Sequence, residues 1–486
     1  MNDADDSLDP QDWPALRALG HRMLDDTFDD LEGIARDPAA HPVWRPMPPA
    51  VRAAWDAGLP RDGVSAEDTY ASFRALIAPY PVGNRHPRFF GWVHGGGTAL
   101  GMLAEMLAAG LNANCGGRDH APIACERQVI RWAAEMLGMP LNSSGLVLSG
   151  TSVANLIAVL VARTSALGDT VRRDGTGSAR LTAYASAGAH LCVARALDMA
   201  GLGSSTLRPI AGSDDRGMNL ADLRAAIAAD RAAGLTPFLV VGTAGSVDTG
   251  AIDDLAGVAA ICAEHRLWMH VDAAFGAVAM LSPALRPLFA GMEHADSVAF
   301  DFHKWAQVPY DAGCIVIRDG QAHRAAFARE VAYLRRNAHG LAAGEPWPVD
   351  LGPELSRGFR ALKVWMTLKT FGADRIGRVA EACCRRACRL ALAIDAAPAL
   401  ERVAAVPLNI VCFRVRGADD ATQAAIAAML QEAGSMVLST TTIGGRVALR
   451  AAIVNHRTRD ADVDAIVQAV LAAVEEMRLG CPILAR

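Results

Sequence analysis

Several signatures are missing from this 486-residue chain, and each gap removes a class of function. No Cys-x-x-Cys occurs, and ten cysteines in so long a chain build no disulfide framework. Cys383, Cys384 and Cys388 cluster on a predicted helix with no histidine beside them, so the thiols read as reduced core and surface groups. The thirteen histidines are scattered without a His-Glu-x-x-His pair, and no metal site is expected. No apolar run reaches the roughly 20 residues that cross a bilayer, so no membrane partner is expected. Lysine and arginine never form a block and the formal net charge is -5, which argues against a nucleic-acid partner. The N-terminus, Met1-Asn-Asp-Ala-Asp-Asp6, is acidic and has no apolar core region, so a secretory signal is not expected and the expected compartment is the cytoplasm. The sequon Asn142-Ser143-Ser144 then carries no weight. Gly201-Leu-Gly203 imitates part of a dinucleotide fingerprint but lacks the third glycine and the preceding strand. Tandem repeats and low-complexity tracts are absent as well.

What the chain does contain is length and apolar substance. It is too long for one small core, so two or three domains are expected, and 52% apolar with 20% charged residues marks a soluble globular protein. One stretch organises the rest: Trp268-Met-His-Val-Asp-Ala-Ala-Phe275, an apolar run broken by the single carboxylate of Asp272. It reads as a buried strand of a parallel sheet with the acid at its carboxyl end, where open α/β sheets place ligands. A second apolar segment, 297–300, leads into Asp301-Phe-His-Lys-Trp305. An aspartate and a lysine closing two neighbouring strands point to pyridoxal 5'-phosphate (PLP), which takes an amine on its aldehyde and a carboxylate on its pyridinium nitrogen. A free lysine has a pKa near 10.4, so at neutral pH roughly one amine in a thousand is nucleophilic. Desolvation beside other cations is therefore expected to lower Lys304. Leu146-Val-Leu-Ser-Gly-Thr-Ser-Val-Ala-Asn155 reads as a strand, a turn of small residues and a helix start, whose amides and positive end suit a phosphate. A strand at 238–243, a helix after 251 and the strand at 268 continue the alternation of a parallel sheet.

His270-Val-Asp-Ala-Ala-Phe275 and Phe302-His-Lys-Trp305 resemble the group II PLP-dependent amino-acid decarboxylases, the family of aromatic-L-amino-acid decarboxylase. The similarity runs over about 81–372, with a weaker echo at the C-terminus. It implies an α/β protein of PLP-dependent transferase fold type I, with a mainly parallel sheet in the large domain and a smaller C-terminal α+β domain. By the same resemblance Lys304 carries the cofactor and Asp272 pairs with the ring nitrogen. Thr151 and Ser152 contact the phosphate, His190 stacks on one ring face with Ala274 on the other, and Thr243 and His303 complete the cofactor-binding set. Trp92, Val93 and His94, which follow Arg85-His-Pro-Arg-Phe-Phe-Gly91, are pocket candidates. Arg118, with Asp119 and His120, departs from the more apolar sequence of the aromatic decarboxylases, and an arginine there can clamp a polar or acidic substrate through two hydrogen bonds. Tyr333 matches the family's loop tyrosine, which protonates the carbon left behind by carbon dioxide. A phenol with a pKa near 10 stays neutral until it delivers that proton. Relatives that make aldehydes have phenylalanine there.

The remaining segments read as scaffold. Amphipathic helices are expected at 12–35, 49–57 and 65–77, and the resemblance implies that residues 1–80 form an N-terminal helical dimerisation segment of an obligate homodimer. Residues 81–385 form the expected PLP-binding domain and 386–486 the small domain. The Gly/Pro-rich sequence through 353 suits a mobile lid, a single long helix is expected from 361, and strands at 410–415 and 446–454 precede a last amphipathic helix. The expected activity is decarboxylation of an L-amino acid, aromatic by default, to its amine and carbon dioxide. An acidic or polar amino acid, aldehyde-forming oxidative chemistry, and a catalytically silent binding subunit remain the alternatives.

Overall fold

A computed structural model describes residues 7–213, 217–329 and 335–479. Two helices lead the N-terminal segment, and the first is tied to the rest of the chain by Arg85, 3.2 Å from Asp30, and by Arg459, which donates to the carbonyl of Ala35 at 2.9 Å. The helix Trp13–Arg36 is capped by Asp12, which accepts from the amide of Ala15, and only Leu19 and Ile34 along it are buried. The helix Ala66–Leu76 is capped by Ser65 and buries nothing. An ion pair from Arg22 to Glu67 and a 2.6 Å hydrogen bond from the Tyr70 hydroxyl to Asp26 tie the two together.

The centre is a seven-stranded sheet. Its strands are β1 (Ser144–Leu148), β2 (Leu181–Ser186), β3 (Leu207–Ile210), β4 (Thr236–Thr243), β5 (Trp268–Asp272), β6 (Ser297–Asp301) and β7 (Gly313–Ile317). They lie in the order β1-β7-β6-β5-β4-β2-β3. Strands β3, β2, β4, β5 and β6 are mutually parallel, and β7 runs antiparallel to both its neighbours. Their apolar runs fit burial on both faces: every residue of β6 and β7 is buried. Register places Thr243 beside Asp272, and Asp272 beside Ala299, so the last residues of β4, β5 and β6 crowd one edge.

Strand β1 is one of the sheet's two edges, and a buried ion pair covers it. Glu126 accepts from the amide of Val147 at 2.9 Å, while Arg357 donates to the carbonyl of Val147 at 2.6 Å and to Glu126 at 2.6 Å. Two side chains thus satisfy the backbone groups that a further strand would take, which keeps the edge from recruiting another chain.

The helix expected from 361 is two helices, Ala361–Phe371 and Ala373–Ala396, because Gly372 takes φ 74° between them. The second crosses residue 385 without a break and leads to a four-stranded antiparallel sheet: β8 (Leu400–Arg402), β9 (Ile410–Val415), β10 (Ser439–Ile443) and β11 (Arg446–Ala452), in the order β8-β9-β11-β10. Helices Asp420–Glu432 and Asp460–Arg478 complete this layer, and Val463, Ile466, Val467 and Val470 form the buried face of the last one. One apolar core is continuous from Val147 and Val271 of the large sheet to Phe413 of the small one and Val470 of the last helix. No helix among the described residues is long and apolar enough to cross a membrane.

Candidate active site

A cavity of about 370 Å3 opens at the carboxyl ends of the parallel strands. It is lined by Asp272 at the end of β5, Thr243 at the end of β4, Asp301 at the end of β6, and His303 and Lys304 in the turn that follows. The start of the helix Thr151–Leu167 contributes Thr151 and Ser152, the turn after β2 contributes His190, and the 92–94 segment contributes Trp92, Val93 and His94. Ala274 and Tyr310 also line it.

Lys304 is one of three lysines in the whole chain, beside 44 arginines. Its Nζ lies 2.9 Å from Asp301 Oδ2, and the Asp301 carboxylate is itself buried. Burial alone would lower the Lys304 ammonium, but the charge and hydrogen bond of Asp301 outweigh it, with Asp272 adding in the same sense, so its pKa is raised. This corrects the expectation of a lowered amine. The neighbours of Lys304 are anions here, and the carboxylate responsible lies three residues upstream. The lysine turn is backed by the 95–97 loop: a Cβ at Gly95 would run into the backbone oxygens of His303 and Lys304.

Asp272 ends a buried hydrogen-bonded chain. Its Oδ2 accepts from Asn155 Nδ2 at 3.1 Å and its Oδ1 from the amide of Ala274 at 3.1 Å. Asn155 Oδ1 lies 2.6 Å from His270 Nε2, His270 Nδ1 lies 2.8 Å from Ser297 Oγ, and Trp268 Nε1 donates to that oxygen at 2.8 Å. Because Asn155 spends its amide nitrogen on Asp272, its oxygen must accept, which assigns the proton of His270 to Nε2. Complete burial pushes His270 down to about 4, so the ring is neutral and Nδ1 accepts from Ser297. Each side-chain donor in the chain therefore points toward the carboxylate.

At the helix start, the amide of Thr151 donates to Asp301 Oδ1 at 2.8 Å, while the buried Thr151 hydroxyl has no partner. A buried hydroxyl without a partner at the positive end of a 17-residue helix fits an incoming phosphate. With an amine and a buried carboxylate on the same cavity, the residues present fit PLP. His303 Nδ1 accepts from the amide of Ala312 at 3.0 Å, its ring lies 4.2 Å from that of Tyr310, and burial lowers its pKa. His190 is exposed to the cavity and accepts from the amide of Cys192 at 3.3 Å. Thr243 Oγ1 lies 3.3 Å from Ser186 Oγ. The imidazole of His94 stacks near Phe89 and Trp92 and meets Tyr310 edge-on.

Two residues singled out from the sequence are not in this group. Arg118 lies outside the cavity lining; its guanidinium sits 4.6 Å from the Trp347 ring, which Arg336 also covers at 4.3 Å. The amide of Asp119 donates to the carbonyl of Leu341, so this polar segment anchors the Gly/Pro-rich stretch. Tyr333 lies outside the described residues. Sequence reasoning gave no role to Asp301, Asn155, His270 or Tyr310. Spacing could have drawn attention to three of them. Asn155 is one helical turn past Thr151, His270 shares a strand face with Asp272, and Asp301 stands one turn before Lys304.

The conserved domain of pyridoxal-dependent decarboxylases matches residues 48–416. An aromatic-L-amino-acid decarboxylase from Bacillus atrophaeus is 29% identical over 481 residues, covering 97% of this chain and 98% of its own. Its counterpart from Sus scrofa is 30% identical over 92% of this chain and 94% of its own. Among solved structures, Oryza sativa TDC with PLP and tryptamine superposes with a TM-score of 0.87 at 25% identity, covering 97% of this chain and 100% of that one. Rhodiola rosea 4-hydroxyphenylacetaldehyde synthase superposes at 0.84 with 23% identity, over 96% and 100%, a likeness of fold.

Proposed function

This chain belongs to the pyridoxal-dependent decarboxylases, and from that premise we propose that it decarboxylates an aromatic L-amino acid, with Lys304 holding the cofactor aldehyde and Asp272 its ring nitrogen. The protein is a PLP-dependent carboxy-lyase. The observation that carries the assignment of residues is that Lys304, Asp272 and the unpartnered Thr151 hydroxyl line one cavity. When bound, PLP supplies an electron-withdrawing ring that lets a carboxylate leave Cα as carbon dioxide.

The chain's own residues do the rest. Asp272, held by Asn155 and the Ala274 amide, fixes a negative charge at one end of the cavity. Thr151 and Ser152 offer hydroxyls at the helix start for the phosphate. His190 and Ala274 both line the cavity wall and would hold the cofactor between them, which would orient the bond to be broken before reaction. Trp92, Val93, His94 and Tyr310 form a wall suited to an aromatic side chain, which together with the aromatic specificity in the relatives' names supports the substrate class. Tyr333 returns a proton to Cα after carbon dioxide has left. Arg118, engaged on Trp347, leaves the clamp for an acidic substrate without support.

We place the enzyme in the cytoplasm as a homodimer. Cys115, Cys192, Cys262, Cys314, Cys383 and Cys384 are free thiols buried in the core, which fits a reducing compartment. The N-terminal helices leave Trp13, Leu16, Phe73 and Ile77 exposed, a surface that a second copy would cover. A panel of amino acids assayed for carbon dioxide, amine, aldehyde and ammonia tests the activity. Amine from aromatic substrates is expected; aldehyde with ammonia, turnover of acidic substrates only, or no turnover at all would overturn the reading. Lys304→Ala is expected to abolish turnover and the visible absorbance of bound cofactor, and Tyr333→Phe to divert product toward aldehyde.

A further inference from the structure

The residue least accounted for by this chemistry is Asp301. Its carboxylate is 2% exposed and holds two groups at once, the Lys304 ammonium at 2.9 Å through Oδ2 and the amide of Thr151 at 2.8 Å through Oδ1. Those are the amine that an aldehyde would take and the helix end that a phosphate would take. His303 Nε2 stands 3.6 Å from Oδ2, and the Thr151 hydroxyl beside it is unpartnered. We propose that Asp301 is a positioning residue that serves the cofactor-free enzyme as an internal counter-ion, occupying the lysine and the helix start together until a phosphate-bearing aldehyde displaces it.

The physical consequence is a coupling between two steps of cofactor capture. Attack on an aldehyde needs the neutral amine: Lys304 gives up one proton to solvent, its nitrogen bonds the aldehyde carbon, and the aldehyde oxygen leaves as water with the two hydrogens remaining on the amine. A carboxylate in contact favours the ammonium and so opposes the first step. The same carboxylate stands at the positive end of the helix Thr151–Leu167, where it competes with phosphate for the amide and repels its charge. The other titratable groups facing Lys304 do not replace it. Asp272 from β5 and Cys192 from the helix Cys192–Met199 act on it more weakly. His94 and His303 are themselves held below the ordinary imidazole value by burial first, with the Lys304 charge adding to it.

The scarcity of lysine makes the test direct. Competitive acetylation of the apoprotein across pH, read by peptide mass spectrometry, titrates Lys304, Lys363 and Lys369 separately, with exposed Lys369 as internal reference. Lys304 is expected to titrate above Lys369 in the wild type and to fall by about one unit or more in Asp301→Asn. Calorimetric titration of the same apoproteins with inorganic phosphate at neutral pH is expected to show about tenfold tighter binding in Asp301→Asn, equivalent to about 1.4 kcal/mol. Asp301→Ser provides a second variant if the amide does not fold. A wild-type Lys304 that titrates at or below Lys369 overturns the inference without any variant. So does a variant in which either the Lys304 titration or the phosphate affinity stays unmoved. The inference rests on Lys304 being the cofactor-bearing amine, and borohydride reduction of the holoenzyme separates the two claims. An adduct on Lys363 or Lys369 ends the functional reading, whereas an adduct on Lys304 with an unmoved titration ends only the counter-ion.

Discussion

Buried imidazoles set much of the pH response of single residues. Burial pushes His270, His323 and His456 down to about 4, while in the unfolded chain each titrates near 6.5. The unfolded state therefore binds more protons between those values, and stability is full above about 6.5 and lost as pH falls toward 4. The fall from 6.5 to about 4 corresponds to about 3 kcal/mol per histidine. Urea denaturation of the apoprotein along a pH series is expected to show this loss, and a flat profile across that window would refute it. Replacing His270 with phenylalanine should remove one share of the slope. It would also strand Asn155 Oδ1 and Ser297 Oγ without their ring partner, at a cost of about 1–3 kcal/mol at neutral pH. Cofactor retention by that variant on gel filtration is expected to weaken, because the Asn155 amide that steadies Asp272 loses its anchor.

Between elements, the Glu126–Arg357 pair has the largest leverage. Its side chains are 6% and 1% exposed, and it joins the helix Ala121–Leu137, the edge strand β1 and the segment before Ala361. Glu126→Ala leaves the buried Arg357 guanidinium with only Glu354, at 3.7 Å, as carboxylate partner, and is expected to cost about 3–5 kcal/mol in urea denaturation. The same variant uncovers the backbone of Val147, and aggregation on warming should accompany the loss. At the Trp347 stack the change is milder. Arg118→Ala removes one cation–π contact, worth about 0.5–2 kcal/mol, and should loosen the 335–353 stretch in hydrogen exchange while leaving the substrate class accepted unchanged. A variant that gained or lost acidic substrates would restore Arg118 to the pocket.

For the whole molecule, the exposed faces of Trp13–Arg36 and Ala66–Leu76 are the feature that an isolated chain does not explain. Sedimentation of the intact protein is expected to give a dimer, and deletion of residues 1–80 to give monomer or aggregate. A truncated chain that stayed dimeric would remove these helices from the interface.

Residues 272 and 304 were legible from the sequence because each lies within a few positions of the apolar run that makes its strand. Strand and site are then encoded in the same short stretch, and the parallel order of β4, β5 and β6 follows from the alternation of strands and helices. The break at Gly372, the strands β8 and β10, and the place of Arg118 were not legible. Neither were the partners of the site residues: Asn155 meets Asp272 across 117 positions, and Arg357 meets Glu126 across 231. The sign of the Lys304 shift belongs to the same class. The sequence by itself determined which amine and which acid are present and that both end on one sheet edge, since local pattern and strand order suffice for that. Only the tertiary structure decided what surrounds them, because burial and the charge of a neighbour depend on how distant segments pack and not on the residues beside them in the chain.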